Sequence, residues 1–173
     1  MPPPELSIVV PVYNEADSLP ELADRLRAAC ADYAFEAWFV DDGSTDDSWA
    51  VITALHEDDE RVRGIRLQRN YGKSAALAVG FERVQGRFVV TLDADLQDDP
   101  DEIPALIDRL CDGYDLVSGW KRKRKDPLSK TIPSRFFNGV TRLVSGIDIH
   151  DFNCGLKAYR REVVQSINLY GEL

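Results

Sequence analysis

No apolar run in the sequence approaches the roughly 20 residues that a bilayer span requires. The longest stretches, around Ile8 to Val12 and Ala75 to Phe81, are far shorter, so no bilayer-crossing segment is expected. The opening Met-Pro-Pro-Pro-Glu lacks the basic and apolar regions of a secretory signal, which predicts a cytosolic chain. Cysteine is scarce: Cys30, Cys111 and Cys154 are odd in number and lack CxxC spacing, favouring reduced, mostly buried thiols over disulfides or a zinc site. The two histidines, His56 and His150, have no metal-ligand company. No two glycines are separated by a single residue, which argues against a GxGxxG dinucleotide site. Gly72-Lys73-Ser74 resembles the end of a phosphate-binding P-loop, but Leu67 stands where that loop needs its first glycine.

What remains is an ordinary globular composition. With 173 residues, 44% hydrophobic and 29% charged, the chain fits one domain with a sizeable core and does not read as disordered or low-complexity. A net charge of −9 argues against general nucleic-acid binding. The charge is uneven, however. Lys121 to Arg142 holds eight of the 21 Lys and Arg but, in Asp126, one of the 30 Asp and Glu. Lys121-Arg122-Lys123-Arg124-Lys125 reads either as a solvated loop or as a site for phosphate or an anionic membrane surface.

Strand and helix patterns alternate along the chain. Ser7 to Val12 is a β-branched apolar run suited to a buried strand; Ser18 with Glu21 matches a capping box ahead of Leu19, Leu22, Leu26 and Ala29 at helical spacing. A strand at Ala37 to Val40 precedes Asp41-Asp42-Gly43-Ser44, and Ser44 with Asp47 can cap the next helix, which carries Ile52 and Leu55. Further strands are expected at Val62 to Leu67, Arg87 to Leu92 and Asp115 to Ser118, with helices at about Ser74 to Arg83 and Ile103 to Leu110. Beyond Trp120 the basic loop, a helix from about Ser134 to Ser145, a polar turn at His150 to Gly155 and a short strand at Leu156 to Tyr159 follow. Such alternation predicts an α/β single domain, a mainly parallel sheet with helices on both faces. In that architecture ligands bind beyond the carboxyl ends of the strands, where Tyr13-Asn14-Glu15, Asp41-Asp42, Arg69-Asn70 and Asp93-Ala94-Asp95 fall. The final Tyr170-Gly171-Glu172-Leu173 carries no stop signal, so residues 1–173 read as one domain truncated at its C-terminus.

Asp93 and Asp95 close an apolar strand, and in extended chain their side chains would project to the same side and share one cation. Two carboxylates and water suit Mg2+ or Mn2+, which neutralises a diphosphate. A solvated strand end is the plain alternative, and the polar ends of the other strands weigh against it.

Pro11-Val12-Tyr13-Asn14-Glu15, Val40-Asp41-Asp42-Gly43-Ser44-Thr45-Asp46, Arg69-Asn70-Tyr71-Gly72-Lys73-Ser74-Ala75-Ala76-Leu77 and Asp93-Ala94-Asp95-Leu96-Gln97-Asp98-Asp99-Pro100 resemble, in order, the motifs of family 2 glycosyltransferases with the Rossmann-like GT-A fold. The Asp-Ala-Asp-Leu-Gln form, the Lys/Arg loop, Pro133 to Asn138 and Asp151 to Lys157 resemble the branch that includes dolichyl-phosphate mannose synthase and bacterial undecaprenyl-phosphate glycosyltransferases. The resemblance implies an inverting, metal-dependent transfer of sugar from a UDP- or GDP-linked nucleotide diphosphate sugar to a polyprenyl phosphate, in glycan or cell-wall biosynthesis. It implies a cytoplasmic protein working at the cytoplasmic face of a membrane.

By the same resemblance Pro11, Tyr13 and Glu15 line the nucleoside pocket and Asp42 contacts base or ribose. Lys73, near a helix start, adds positive charge for phosphate. Asp95 ligates the metal directly and serves catalysis, with Gln97 as a further oxygen donor; Asp93 binds metal through water or holds sugar and ribose. Lys121, Arg124, Ser134 and Arg135 would hold the acceptor phosphate. Asp151 would be catalytic as a general base for a hydroxyl acceptor, whereas beside a phosphate, largely dianionic at pH 7, it mainly orients groups. The plain alternatives are a half-buried aromatic for Tyr13, a helix-capping turn residue for Asp42, an exposed first-turn lysine for Lys73, a surface side chain for Gln97 and a structural turn residue for Asp151. Two rival functions stand beside the lipid acceptor: transfer to a glycan or small-molecule hydroxyl, and nucleotide-sugar binding without catalysis. The base, the sugar, the lipid length, the choice of Mg2+ or Mn2+ and homo-oligomer formation are left open.

Overall fold

In this computed structural model the described residues are 3–119 and 154–166. The elements run β1 (Leu6–Val12), α1 (Leu19–Ala29), β2 (Phe35–Asp41), α2 (Ser48–Asp58), β3 (Val62–Arg66), α3 (Lys73–Phe81), β4 (Phe88–Thr91), a 3-10 turn (Pro100–Glu102), α4 (Ile103–Cys111), β5 (Leu116–Ser118), β6 (Lys157–Arg160) and α5 (Arg161–Ser166). The strands form one six-stranded sheet in the order β3-β2-β1-β4-β6-β5. β1, β2, β3 and β4 pair in parallel, while β6 runs antiparallel to both β4 and β5.

The period-2 alternation of β1 builds both layers. Leu6, Ile8, Val10 and Val12 face a core completed by Leu22 and Leu26 of α1, Ile52 of α2 and Ile103, Ile107 and Leu110 of α4. Val9 faces the other way, joining Val40 and Val89 with Ala76 of α3 and Val164 of α5. Helices therefore cover both faces, which is why β1 is apolar almost throughout rather than alternating with polar residues. Each fully buried Leu, Ile or Phe contributes about 1.5–3 kcal/mol, so Leu22, Phe39, Ile103 and Leu110, all at 0% exposure, fix the helix positions.

Two anticipated caps differ. Ser18 does occupy the N-cap of α1, but it is in right-handed helical conformation and makes no side-chain cap bond. Its hydroxyl instead donates to the Glu15 carbonyl oxygen at 2.9 Å, tightening the loop after β1. The N-cap of α2 is Asp47 rather than Ser44, also without a side-chain bond; the Ser44 hydroxyl is used elsewhere, as described below. The short strand expected at Leu156 to Tyr159 is β6, which inserts between β4 and β5 and turns the sheet antiparallel at that edge.

Cys30, Cys111 and Cys154 form no disulfide; Cys30 and Cys154 are buried and Cys111 is exposed. Burial pushes the Cys30 thiol up to about 12, and the thiolate is the reactive form. A thiol reagent added to native protein should modify Cys111 promptly and Cys30 only on unfolding; equal labelling rates by mass spectrometry would contradict this packing. Among the described residues no helix is long and apolar enough to cross a membrane.

Candidate active site

The strand order reverses between β1 and β4, and there the sheet opens. β1 pairs with β4 only as far as Val9 with Thr91, but with β2 as far as Val12 with Asp41. Beyond Thr91 the chain leaves the ladder, and Pro11, which lacks an N–H, lies past the last β4 partner. Crevices of this kind, at the carboxyl ends of parallel strands, are where such sheets receive ligands. A cavity of about 310 Å3 occupies it, and its lining includes Pro11, Tyr13, Glu15, Asp42, Lys73 and Asp93, all six residues expected at the nucleotide sugar. Asp95, Asn70 and Gly72 line it as well.

Four loops make the walls, and the loop after β2 locks those after β1 and β3. Asn14 is in the left-handed region (φ 56°), which asparagine tolerates better than most residues. Its N–H donates to Ser44 Oγ at 3.0 Å and its side-chain oxygen accepts from the Thr45 N–H at 2.8 Å. The Glu15 N–H donates to Ser48 Oγ at 2.9 Å. Asp46 accepts from the Ser48 N–H and hydroxyl and from the Ala16 N–H. Burial would push the Asp46 carboxyl up, but these donors outweigh it and hold it below the usual carboxylate range.

Asp42 does the same for the loop after β3. It is 3% exposed; one oxygen accepts the Tyr71 N–H and the other the Gly72 N–H, both at 2.8 Å. Gly43, at φ 71°, lies so close that a Cβ would stand 2.4 Å from the carbonyl carbon of Arg69. Only glycine meets both the left-handed backbone and the close approach. Asp42 thus faces the cavity while its carboxylate oxygens set the course of residues 71 and 72 into α3.

On the far wall Lys73, the first residue of α3, forms an ion pair with Asp93 Oδ1. The extended geometry expected for Asp93 and Asp95 is not found. β4 ends at Thr91, Ala94 and Asp95 lie in a turn, and Leu96 has a positive φ of 59°. Both acids still line the cavity. Asp95 Oδ1 accepts the Gln97 N–H at 3.1 Å. Gln97 lines a second cavity of about 610 Å3, together with Asp98, Leu106, Val117, Cys154 and Leu156. Lys121, Arg124, Ser134, Arg135 and Asp151, the acceptor-side residues, lie outside the described residues, as does the helix expected at 134–145.

The first cavity is lined by four carboxylates, Glu15, Asp42, Asp93 and Asp95, and one ammonium, Lys73. A diphosphate entering alone would meet an excess of like charge. Hard oxygen donors from Asp93 and Asp95 suit a divalent cation that would reverse that balance. Among the described residues no three His, Cys, Asp or Glu side chains gather as a metal cluster, so phosphate oxygens and water would have to complete the coordination, as is usual for Mg2+.

Sequence reasoning placed Asn70 at a ligand-binding strand end without giving it a role, and gave none to Gly72, Asp98 or Gly155. Asp98 is 3% exposed and its Oδ2 faces the Asp93 N–H at 3.4 Å. Nothing in Gln97-Asp98-Asp99-Pro100 distinguishes this buried acid from exposed Asp99, which caps the 3-10 turn.

The Glycosyl transferase family 2 model matches residues 7–167. The undecaprenyl-phosphate 4-deoxy-4-formamido-L-arabinose transferase of Pseudomonas aeruginosa (strain LESB58) is 46% identical over 165 residues, covering 94% of this chain and 49% of that protein. Its counterpart from Yersinia pestis (strain Pestoides F) is 43% identical over 166 residues, covering 94% and 51%. The chain spans about half the length of the curated relatives it matches. Among solved structures, the mannosyltransferase PcManGT from Pyrobaculum calidifontis, in complex with GDP-Man and Mn2+, superposes with a TM-score of 0.70 at 26% identity, over 98% of this chain and 48% of that one. Glucosyl-3-phosphoglycerate synthase from Mycobacterium tuberculosis, in complex with UDP, gives 0.74 at 24% identity, over 95% and 59%.

Proposed function

The chain belongs to glycosyl transferase family 2 and has the GT-A fold, and from that premise we propose that it is the catalytic domain of an inverting glycosyltransferase. It takes a sugar from a UDP- or GDP-linked donor and passes it to a polyprenyl phosphate, releasing the nucleoside diphosphate. The observation that carries the donor half is the cavity at the β1–β4 reversal, where four carboxylates face one lysine. Support for the acceptor half comes from relatives named as undecaprenyl-phosphate sugar transferases.

Each residue has a task in this reading. Tyr13, 45% exposed, offers a ring on which a base can pack. Glu15 and Asp42 accept from ribose hydroxyls or a base N–H, Asp42 through the lone pairs that the Tyr71 and Gly72 amides leave free. Asp93 and Asp95 hold a divalent ion, Mn2+ or Mg2+, which when bound offsets the charge that develops on the departing diphosphate. Lys73 balances Asp93 until the diphosphate arrives and then turns to a phosphate oxygen. Lys121, Arg124, Ser134 and Arg135 hold the acceptor phosphate, Asp151 orients it, and the surplus cations of the basic loop draw the domain to an anionic membrane face at the cytoplasmic side, at about 1 kcal/mol per residue. Aligning the two reactants removes much of the remaining barrier.

Titration with UDP and with GDP, with and without Mn2+, tests the donor site: saturable binding to one of them that requires the metal is expected, and its absence rejects the assignment. A radiolabelled-sugar assay with undecaprenyl phosphate then tests the acceptor. Label should move into the lipid phase, and Asp151→Asn should retain part of that transfer. Complete loss would favour a hydroxyl acceptor needing a general base.

A further inference from the structure

Gly155 is buried and stands against Asp93, which lines the first cavity, and Asp98, which lines the second. A Cβ at this position would stand 2.5 Å from Asp93 Oδ2, 2.6 Å from Asp93 Cγ and 2.7 Å from Asp98 Oδ2. The same residue's carbonyl oxygen accepts the Thr91 hydroxyl at 3.0 Å, so the backbone of 155 is tied to the last residue of β4, two positions before Asp93. Cys154 and Leu156 on either side are buried as well, which leaves the segment little freedom to retreat. The groups that a methyl would strike are the ends of short side chains rather than backbone. The least costly response is therefore for the Asp93 and Asp98 carboxylates to rotate away while the fold stays in place.

We propose that Gly155 is a positioning residue for the Asp93 carboxylate: its missing side chain sets where that carboxylate stands, and so how firmly a divalent cation holds a nucleoside diphosphate in the cavity. Residues that orient metal ligands without touching the metal change affinity by about 10- to 100-fold when altered. The proposal rests on the metal-dependent donor reading above. It also places the segment that follows Asp151 in sequence against the donor carboxylate.

The test compares wild type with Gly155→Ala by calorimetric titration of UDP and GDP at a series of Mn2+ concentrations and without metal. Gly155→Ala should raise the Mn2+ concentration for half-maximal nucleotide binding by about tenfold or more and leave metal-free affinity within about twofold. Gly119→Ala serves as the packing control. Its Cβ would meet Cys154 Sγ and the Leu156 carbonyl oxygen, each at 3.1 Å, and no carboxylate, so it should not change the metal dependence. A Gly155→Ala protein with wild-type metal dependence, or a Gly119→Ala protein altered as much, overturns the proposal. If Gly155→Ala also lowers Tm, adding Asp93→Ala must restore part of the loss, because the strike is on that carboxylate; no restoration overturns it too. Wild-type protein without metal-dependent binding would instead refute the donor reading itself.

Discussion

Replacing Asp93 and Asp95 together by alanine should abolish Mn2+-dependent nucleotide binding and lower sugar transfer by about 1,000-fold, in the range found when a preorganised charge-stabilising group is removed from an active site. Both acids lie beyond the end of β4, outside the ladder, and Asp93 is paired across the cavity with Lys73. Their loss should therefore leave Tm close to wild type. Asp93→Ala alone carries a second sign. It removes one negative charge and releases the Lys73 ammonium, so weak metal-free binding of the diphosphate should tighten while the metal-dependent part falls. Movement of both in the same direction would mean that Asp93 acts through the fold rather than through charge. Undiminished transfer by the double variant would remove the metal from the proposed reaction.

Asp42→Ala should weaken nucleotide binding by about 100-fold through a different route. Its two oxygens accept two backbone N–H groups at 2.8 Å, and hydrogen bonds to a charged group contribute about 1.5–3 kcal/mol each. Without them residues 71 and 72 lose their anchor, and with them the start of α3 that carries Lys73. A fall in Tm and faster amide exchange at Tyr71, Gly72 and Lys73 are expected alongside the lost affinity. Asp42→Asn is not a rescue, because its NH2 would face one of those N–H donors; it should behave closer to alanine than to wild type. Unchanged exchange with lost affinity would confine Asp42 to direct contact with the nucleoside.

These two variants show how far the residues could be read in advance. The donor residues were legible because each follows a strand: Tyr13 and Glu15 after β1, Asp42 after β2, Lys73 after β3, Asp93 after β4. Once the strands are placed, a parallel sheet brings all their carboxyl ends to one edge. Asp42's grip on the loop at 71 and 72 was not legible, since it joins residues 29 and 30 positions apart through backbone amides that carry no sequence signature. Ser44 was read as a helix cap from local spacing, yet it meets Asn14, 30 positions away, because the tertiary contact was the stronger claim on its hydroxyl. Gln97 was assigned to the metal by resemblance; in the structure it lines the second cavity and its N–H donates to Asp95 Oδ1.

Hydrophobic periodicity, strand-end polarity and the spacing of Asp93 and Asp95 by themselves determined the α/β class, the edge of the sheet that forms the site and the carboxylate-rich character of its lining. All are local properties, set by the period of a strand or helix and by what terminates it. The insertion of β6 beside β4, the burial of Asp98 and the approach of Gly155 to Asp93 were decided only in the tertiary structure. They depend on which distant segments the two apolar layers press together, and close packing fixes those distances to tenths of an ångström, a scale on which residue pattern carries no information.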